Sequence, residues 1–231
     1  MKKLTKRTKE WEKLVDKDKK ISLTQAIDLA KKLAVSKFNE ALDIAIMLGI
    51  DPRRGEQNVR GSCSLPHGSG KSERILVFAK GEKEGEAKEA GADYVGGADL
   101  SDKIKGGWLD FERVVATPDM MREVGKIGKI LGPRGLMPNP KLGTVTFDVK
   151  NAITEIKKGK VEFRSDKSAN LHVTCGKADF LAEHLVDNVK AIIDAVIKLK
   201  PSSAKGVYIK SIFLSTTMGP GIRVDESSLI K

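Results

Sequence analysis

The sequence predicts a mixed fold: a split α+β outer domain made from both ends of the chain, interrupted by a Rossmann-like α/β insert. Toward both ends, apolar residues alternate with polar ones, the pattern of half-buried strands. In the middle, Ile75-Leu76-Val77-Phe78-Ala79 and Val114-Val115-Ala116 are short unbroken apolar runs, as in strands buried on both faces. Charge divides the same way. Residues 68–159 hold 16 basic and 14 acidic side chains, while the two outer segments together hold 26 and 17. Residues 1–67 and 160–231 are therefore assigned to the outer domain and 68–159 to the insert, with Gly68 and Gly159 marking the crossings.

Lys2 to Lys20 carries nine Lys/Arg and four Asp/Glu and reads as a helical arm or a flexible basic tail. Ser22 and Gln25 form a capping box before a helix with Leu23, Ala26, Ile27, Ala30, Leu33 and Ala34 on one side. From Phe38 the period changes, and Leu42, Ile44, Ile46 and Leu48 alternate as in a strand. A turn at Asp51–Gly55 leads to a second strand around Asn58–Leu65, closed by Pro66-His67-Gly68-Ser69-Gly70. In the insert, the two apolar runs and a weaker strand at Ala92–Val95 alternate with helices at Glu82–Ala90, Asp99–Lys105 and Asp119–Leu131. Thr144–Val149 and a helix around Asn151–Lys158 complete it. Beyond Gly159, strands at Val161–Arg164 and Leu171–Thr174 flank a polar turn. Asp179 caps a helix with Leu181, Leu185, Val189, Ile192, Val196 and Leu199 at three-to-four spacing. Pro201 ends that helix, and a last strand runs from about Val207 to Thr216.

Of 231 residues, 40% are hydrophobic and 32% charged, enough apolar material for a packed core. Lys and Arg number 42 against 31 Asp and Glu, a net of +11, which favours a polyanionic partner. Two cysteines, Cys63 and Cys175, exclude a disulfide scaffold, and with three scattered histidines they offer no close-spaced zinc ligands. Free thiols, no apolar leader and no long apolar run lead us to expect a soluble cytoplasmic protein without a membrane partner.

Gly70-Lys71-Ser72 ends like a phosphate-binding loop, yet Leu65 stands where that motif requires glycine. The dinucleotide pattern fails at Glu73. A hinge or tight turn accounts better for these glycines. No catalytic constellation emerges, so neither enzyme nor cofactor is expected; a nucleotide-binding α/β enzyme with a basic accessory domain is the rival. The acid-free stretch Gly125–Lys141 is either a solvated Gly/Pro loop or a backbone that approaches phosphates with Lys126, Lys129, Arg134 and Lys141; pattern alone leaves the two level. Aromatics total only 5%, which points to structured RNA rather than a long single-strand stacking platform. Phe38 shares the parity of Leu42 and Ile44, so pattern favours a core residue over a stacking one.

Longer strings then coincide: Lys37-Phe38, Asp51-Pro52-Arg53-Arg54, Gln57-Asn58-Val59-Arg60-Gly61, Leu65-Pro66-His67-Gly68, Gly91 to Gly97, Leu131 to Pro140, Lys205 to Lys210, and Ser215-Thr216-Thr217-Met218-Gly219. Together they closely resemble the family of the bacterial large-subunit ribosomal protein number one, found in the mobile stalk beside the tRNA exit site. The resemblance implies two domains joined by a hinge, binding to large-subunit rRNA in the ribosome, release of deacylated exit-site tRNA, and repression of the protein's own operon mRNA. By the same resemblance the RNA contacts fall on Lys37, Phe38, Glu40, Asp166, Lys167, His172, Thr217, Met218 and Gly219. Cys63 and Cys175 depart from the family pattern, at strand positions where they need only pack.

Overall fold

Leu23, Ala26, Ile27, Ala30 and Leu33 are all buried along one side of α1 (Leu23–Leu33). A computed structural model describes residues 19–229, together with Thr8, Trp11 and residues 14–16. The basic stretch Lys2–Lys20, expected as an arm or tail, lies largely outside these residues. Ser22 is the N-cap of α1 but makes no side-chain capping bond. Its hydroxyl lies 3.4 Å from that of Thr24, so the capping box is not formed. Leu42, Ile44, Ile46 and Leu48 alternate into the core from β1 (Ala41–Leu48). Burying each of these side chains contributes about 1.5–3 kcal/mol. β2 (Arg60–Ser64) follows after a 3-10 turn at Gly55–Gln57.

The middle of the chain supplies β3 (Ile75–Phe78), α2 (Glu82–Glu89), β4 (Tyr94–Gly96), α3 (Ala98–Lys105), β5 (Arg113–Ala116), α4 (Met121–Lys126), α5 (Gly128–Leu131) and α6 (Val149–Lys157). Its strands form a parallel sheet in the order β4-β3-β5. Leu76 and Phe78 join Leu100, Ile104, Val124 and Leu131 on one side of that sheet. Ile75 and Val77 join Ala87, Val149 and Ile153 on the other. Both faces are covered, which is why these strands carry unbroken apolar runs. Two expectations are corrected here. The helix expected over Asp119–Leu131 is a 3-10 turn (Pro118–Met120) followed by α4 and α5, which break at Ile127 between Gly125 and Gly128. Glycine weakens a helix by about 1 kcal/mol per position, and two of them so close explain the interruption. The segment Thr144–Val149, expected to precede the last helix of the insert, contributes one parallel bridge from Val145 to Ala116, and the helix expected from about Asn151 already begins at Val149 as α6.

The chain then forms β6 (Lys160–Arg164), β7 (Asn170–Lys177), α7 (Ala182–Lys198), β8 (Ile209–Thr216) and β9 (Ile222–Val224). Leu181, not Asp179, is the N-cap of α7; it and Leu199 lie exposed at the helix ends, while Leu185, Val189, Ile192 and Val196 are buried. Among the described residues, β7-β1-β8-β9 form an antiparallel sheet with β1 between β7 and β8, and β2 pairs with β6. One hydrophobic cluster joins α1, α7 and the buried sides of these strands.

The molecule is thus mixed α/β. Its contacts divide it into two compact units, Met1–Gly70 with Val161–Lys231, and Lys71–Lys160. No helix among the described residues is long and apolar enough to cross a membrane.

Candidate nucleic-acid interface

β1 begins only at Ala41, so Phe38 stands outside the strand alternation. Its ring is 54% exposed, which corrects the core reading that its parity favours. Lys37 and Asn39 beside it are also exposed. Glu40, the next residue, is 1% exposed. Its carboxylate accepts the Ser36 amide at 3.2 Å through Oε1 and the Met218 amide at 3.0 Å through Oε2. Burial alone would raise the Glu40 pKa. Hydrogen bonds from the Met218 amide and from Ser36, with the nearby Thr216 hydroxyl, outweigh burial and hold it below the usual carboxylate value. The same Thr216 hydroxyl is buried and meets no hydrogen-bond partner of good geometry among the described residues.

Across from Glu40, the turn after β8 is fixed by its own bonds. The Thr217 amide donates to the Ala41 carbonyl at 3.0 Å, and the Ala41 amide donates to the Thr217 hydroxyl at 3.0 Å. The Gly219 amide donates to the Thr216 carbonyl at 3.0 Å. A Cβ on Gly219 would sit 2.3 Å from the Thr216 hydroxyl, so any larger residue there forces that side chain to move. Met218 is left 47% exposed at the tip. Two distant segments therefore form one rim that offers Lys37, Phe38 and Met218 to solvent, with Glu40 and Thr217 as its framework.

The remaining candidates lie at the other end of β1. Asp166 folds the turn between β6 and β7, its Oδ1 accepting the Ser168 amide at 2.8 Å and the Asn170 amide at 2.7 Å. The Asn170 amide is the main reason its carboxyl is held below the usual value. Ala169 takes a left-handed φ of 64° in this turn, and Lys167 points to solvent. His172 pairs with Ala45 in the sheet register and is exposed on the face away from the core, its Nε2 3.9 Å from Asp166 Oδ2. Asn170 pairs with Met47, whereas the first rim sits at Ala41, so at about 3.3 Å per residue the two groups are about 20 Å apart. The nine candidates thus form two groups along one sheet. Sequence reasoning missed the supports: Ser36, Ala41 and Asn170 act through backbone groups and carry no motif.

The rival readings find no matching geometry. The segment holding Gly70-Lys71-Ser72 leads from β2 into β3, not onto the helix N-terminus that a phosphate loop requires. Cys63 and Cys175 are buried, and burial pushes both thiols up, away from the reactive thiolate. His67 stacks on His184 with ring centroids 3.9 Å apart, and its amide donates to Asn188 Oδ1, an arrangement explained by packing.

Comparison with known proteins agrees over nearly the whole length. The model of the ribosomal protein L1p/L10e family matches residues 30–220, a span that takes in both groups of candidate residues. The large ribosomal subunit protein uL1 of Thermosipho melanesiensis is 55% identical over 230 residues, covering 99% of each chain. With that coverage, and with a surface built for contact rather than for chemistry, the chain belongs to the ribosomal protein L1p/L10e family, whose members are ribosomal proteins and not enzymes.

Proposed function

We propose that this chain binds rRNA in the mobile stalk of the large ribosomal subunit, takes part in releasing deacylated tRNA from the exit site, and represses its own operon by binding the mRNA with the same surface. The observation that carries this reading is the rim in which buried Glu40 ties exposed Lys37-Phe38 to the Thr217-Met218-Gly219 turn. Phe38 offers its face to an unstacked base. Lys37 and Lys167 neutralise phosphates, and Gly219 lets the turn close behind the exposed Met218. Glu40 and Asp166, whose carboxylates are occupied by backbone amides, shape the contact from behind. The outer segments, with 26 basic and 17 acidic residues, supply the attracting field. The two compact units are taken as separate domains, the first anchoring RNA. The ribosome in the cytoplasm is then the working place, and no cofactor is needed.

The test is a competition titration of the full chain with a large-subunit rRNA stalk fragment and the leader of its own operon mRNA. One shared surface predicts mutually exclusive binding, and Phe38→Ala weakens both. Simultaneous binding of the two RNAs would remove the shared-site account of repression.

A further inference from the structure

The cationic segment between the α4 helix and α6 is not absorbed by the outer interface. Residues 124–147 hold four cations and no acid, whereas the rest of 68–159 carries a net of −2. The positive charge of the middle unit is therefore concentrated in one excursion. Lys126 is occupied by Glu123 at 2.8 Å. Lys129, Arg134 and Lys141 are exposed and, among the described residues, make no ion pair or side-chain hydrogen bond.

The excursion is also built to hold its shape. Gly132, Gly135 and Leu136 donate their amides to Gly128, Gly132 and Leu131 at 2.8, 3.1 and 3.0 Å. Asn139 Oδ1 accepts the Lys141 amide at 2.9 Å, and the Thr144 hydroxyl accepts the Asn139 amide at 2.8 Å. Leu131, Pro138 and Leu142 are buried, and Met137 packs 3.9 Å from the position a Gly128 side chain would take, which lays the returning leg against α5. Gly132 is required because a Cβ there would meet the Gly128 carbonyl at 2.7 Å, and Gly135 has a φ of 74°. Between these anchors, Gly132-Pro133-Arg134-Gly135 is an exposed tip. Ordered backbone with unpaired cations costs little further entropy on binding, and glycines beside arginine let a phosphate chain come close.

We propose that the Lys129–Arg134–Lys141 surface is a second RNA-binding site, in the middle unit, that grips the phosphate backbone of folded RNA without reading sequence. It lies outside the sheet interface and stands or falls separately from it. The test uses the full chain with Lys129→Gln, Arg134→Gln and Lys141→Gln combined, binding intact large-subunit rRNA and, separately, bulk tRNA over a range of salt. Each lost phosphate contact removes about 0.7–0.9 from the log–log slope, so the slope should fall by about 2 on at least one probe. A control combining Lys88→Gln, Lys150→Gln and Lys158→Gln makes the same charge change on α2 and at the two ends of α6, on the opposite side of the parallel sheet, and should leave the slope nearly unaltered. Phe38→Ala, in parallel, reports the outer interface alone: it should lower affinity without changing the slope. An unchanged slope for the loop variant on both probes, or an equal fall for the control, would overturn the proposal; the first result would leave an acidic protein as the partner to seek.

Discussion

Glu40 Oε2 accepts the Met218 amide at 3.0 Å across 178 positions of the chain. With its other oxygen on Ser36, Glu40 ties the segment before β1 to the turn after β8, and the exposed candidates on each side owe their placement to it. A buried carboxylate with both oxygens engaged is worth more as a charge-assisted acceptor than a neutral amide in its place.

Glu40→Gln should therefore lower stability at pH 7 by on the order of 2 kcal/mol. The folded pKa of Glu40 is held below 4.5, its unfolded reference. Its contribution is accordingly complete above that value and fades as pH falls through the lower folded one. Urea unfolding at pH 7 and at successive values below 4.5 should show the difference between wild type and variant narrowing with acid. A gap that stays constant with pH would mean the charge on Glu40 is not what holds the rim.

Phe38→Ala should leave the unfolding midpoint nearly unchanged, because the ring is already 54% exposed. RNA affinity should fall by about 1–3 kcal/mol, the usual worth of one aromatic–base stack. Fluorescence anisotropy with a stalk rRNA fragment measures it, and an unaltered affinity would take Phe38 out of the contact.

How much of this was legible depends on the range over which each constraint acts. Local period reveals β1 through Leu42, Ile44, Ile46 and Leu48, and the doubly buried β3 through its unbroken run. It fails where a strand is too short to show a period, as in β9 (Ile222–Val224), which is held by pairing with β8 and by a parallel bridge from Val224 to Ile21. Phe38 keeps the strand's parity yet lies before its first residue, and nothing in the alternation says where a ladder starts. The Asp119–Leu131 pattern keeps a helical period through a glycine-flanked break, because period counts apolar positions and not backbone freedom. In the candidate site the residue types were legible through the family resemblance alone. Their division into exposed contacts and buried framework was not, because Glu40 and Met218 meet only in the fold.

Gly219→Ala should disturb the turn, since the new methyl carbon would lie 2.3 Å from the Thr216 hydroxyl. The expected result is weakened RNA binding with a modest loss of stability. Adding Thr216→Ala removes the obstructing atom and should recover much of the binding, a coupling that a double-mutant cycle reads directly. Independent, additive effects would show that Gly219 serves the RNA contact and not the turn.

Asn188 is fully buried on α7, accepting the His67 amide and donating to the Gly68 and Cys175 carbonyls at 3.1 and 2.8 Å. Asn188→Ala leaves three backbone groups without partners and should cost on the order of 3 kcal/mol. Asn188→Asp should be worse at neutral pH, because a carboxylate would face two carbonyl oxygens. Thermal unfolding of both variants checks the order; an aspartate as stable as wild type would contradict it.

RNA anchoring by the first compact unit is tested most directly by removing the second. The chain without Lys71–Lys160, with Gly70 joined to Val161 by a short Gly/Ser linker, is titrated against a large-subunit rRNA stalk fragment at one fixed salt concentration, beside the whole protein. Circular dichroism confirms that the fragment is folded. The account predicts that it keeps most of the affinity, with the isolated Lys71–Lys160 unit binding far more weakly. A folded outer fragment that fails to bind, or a middle unit that binds as tightly as the whole chain, would contradict it.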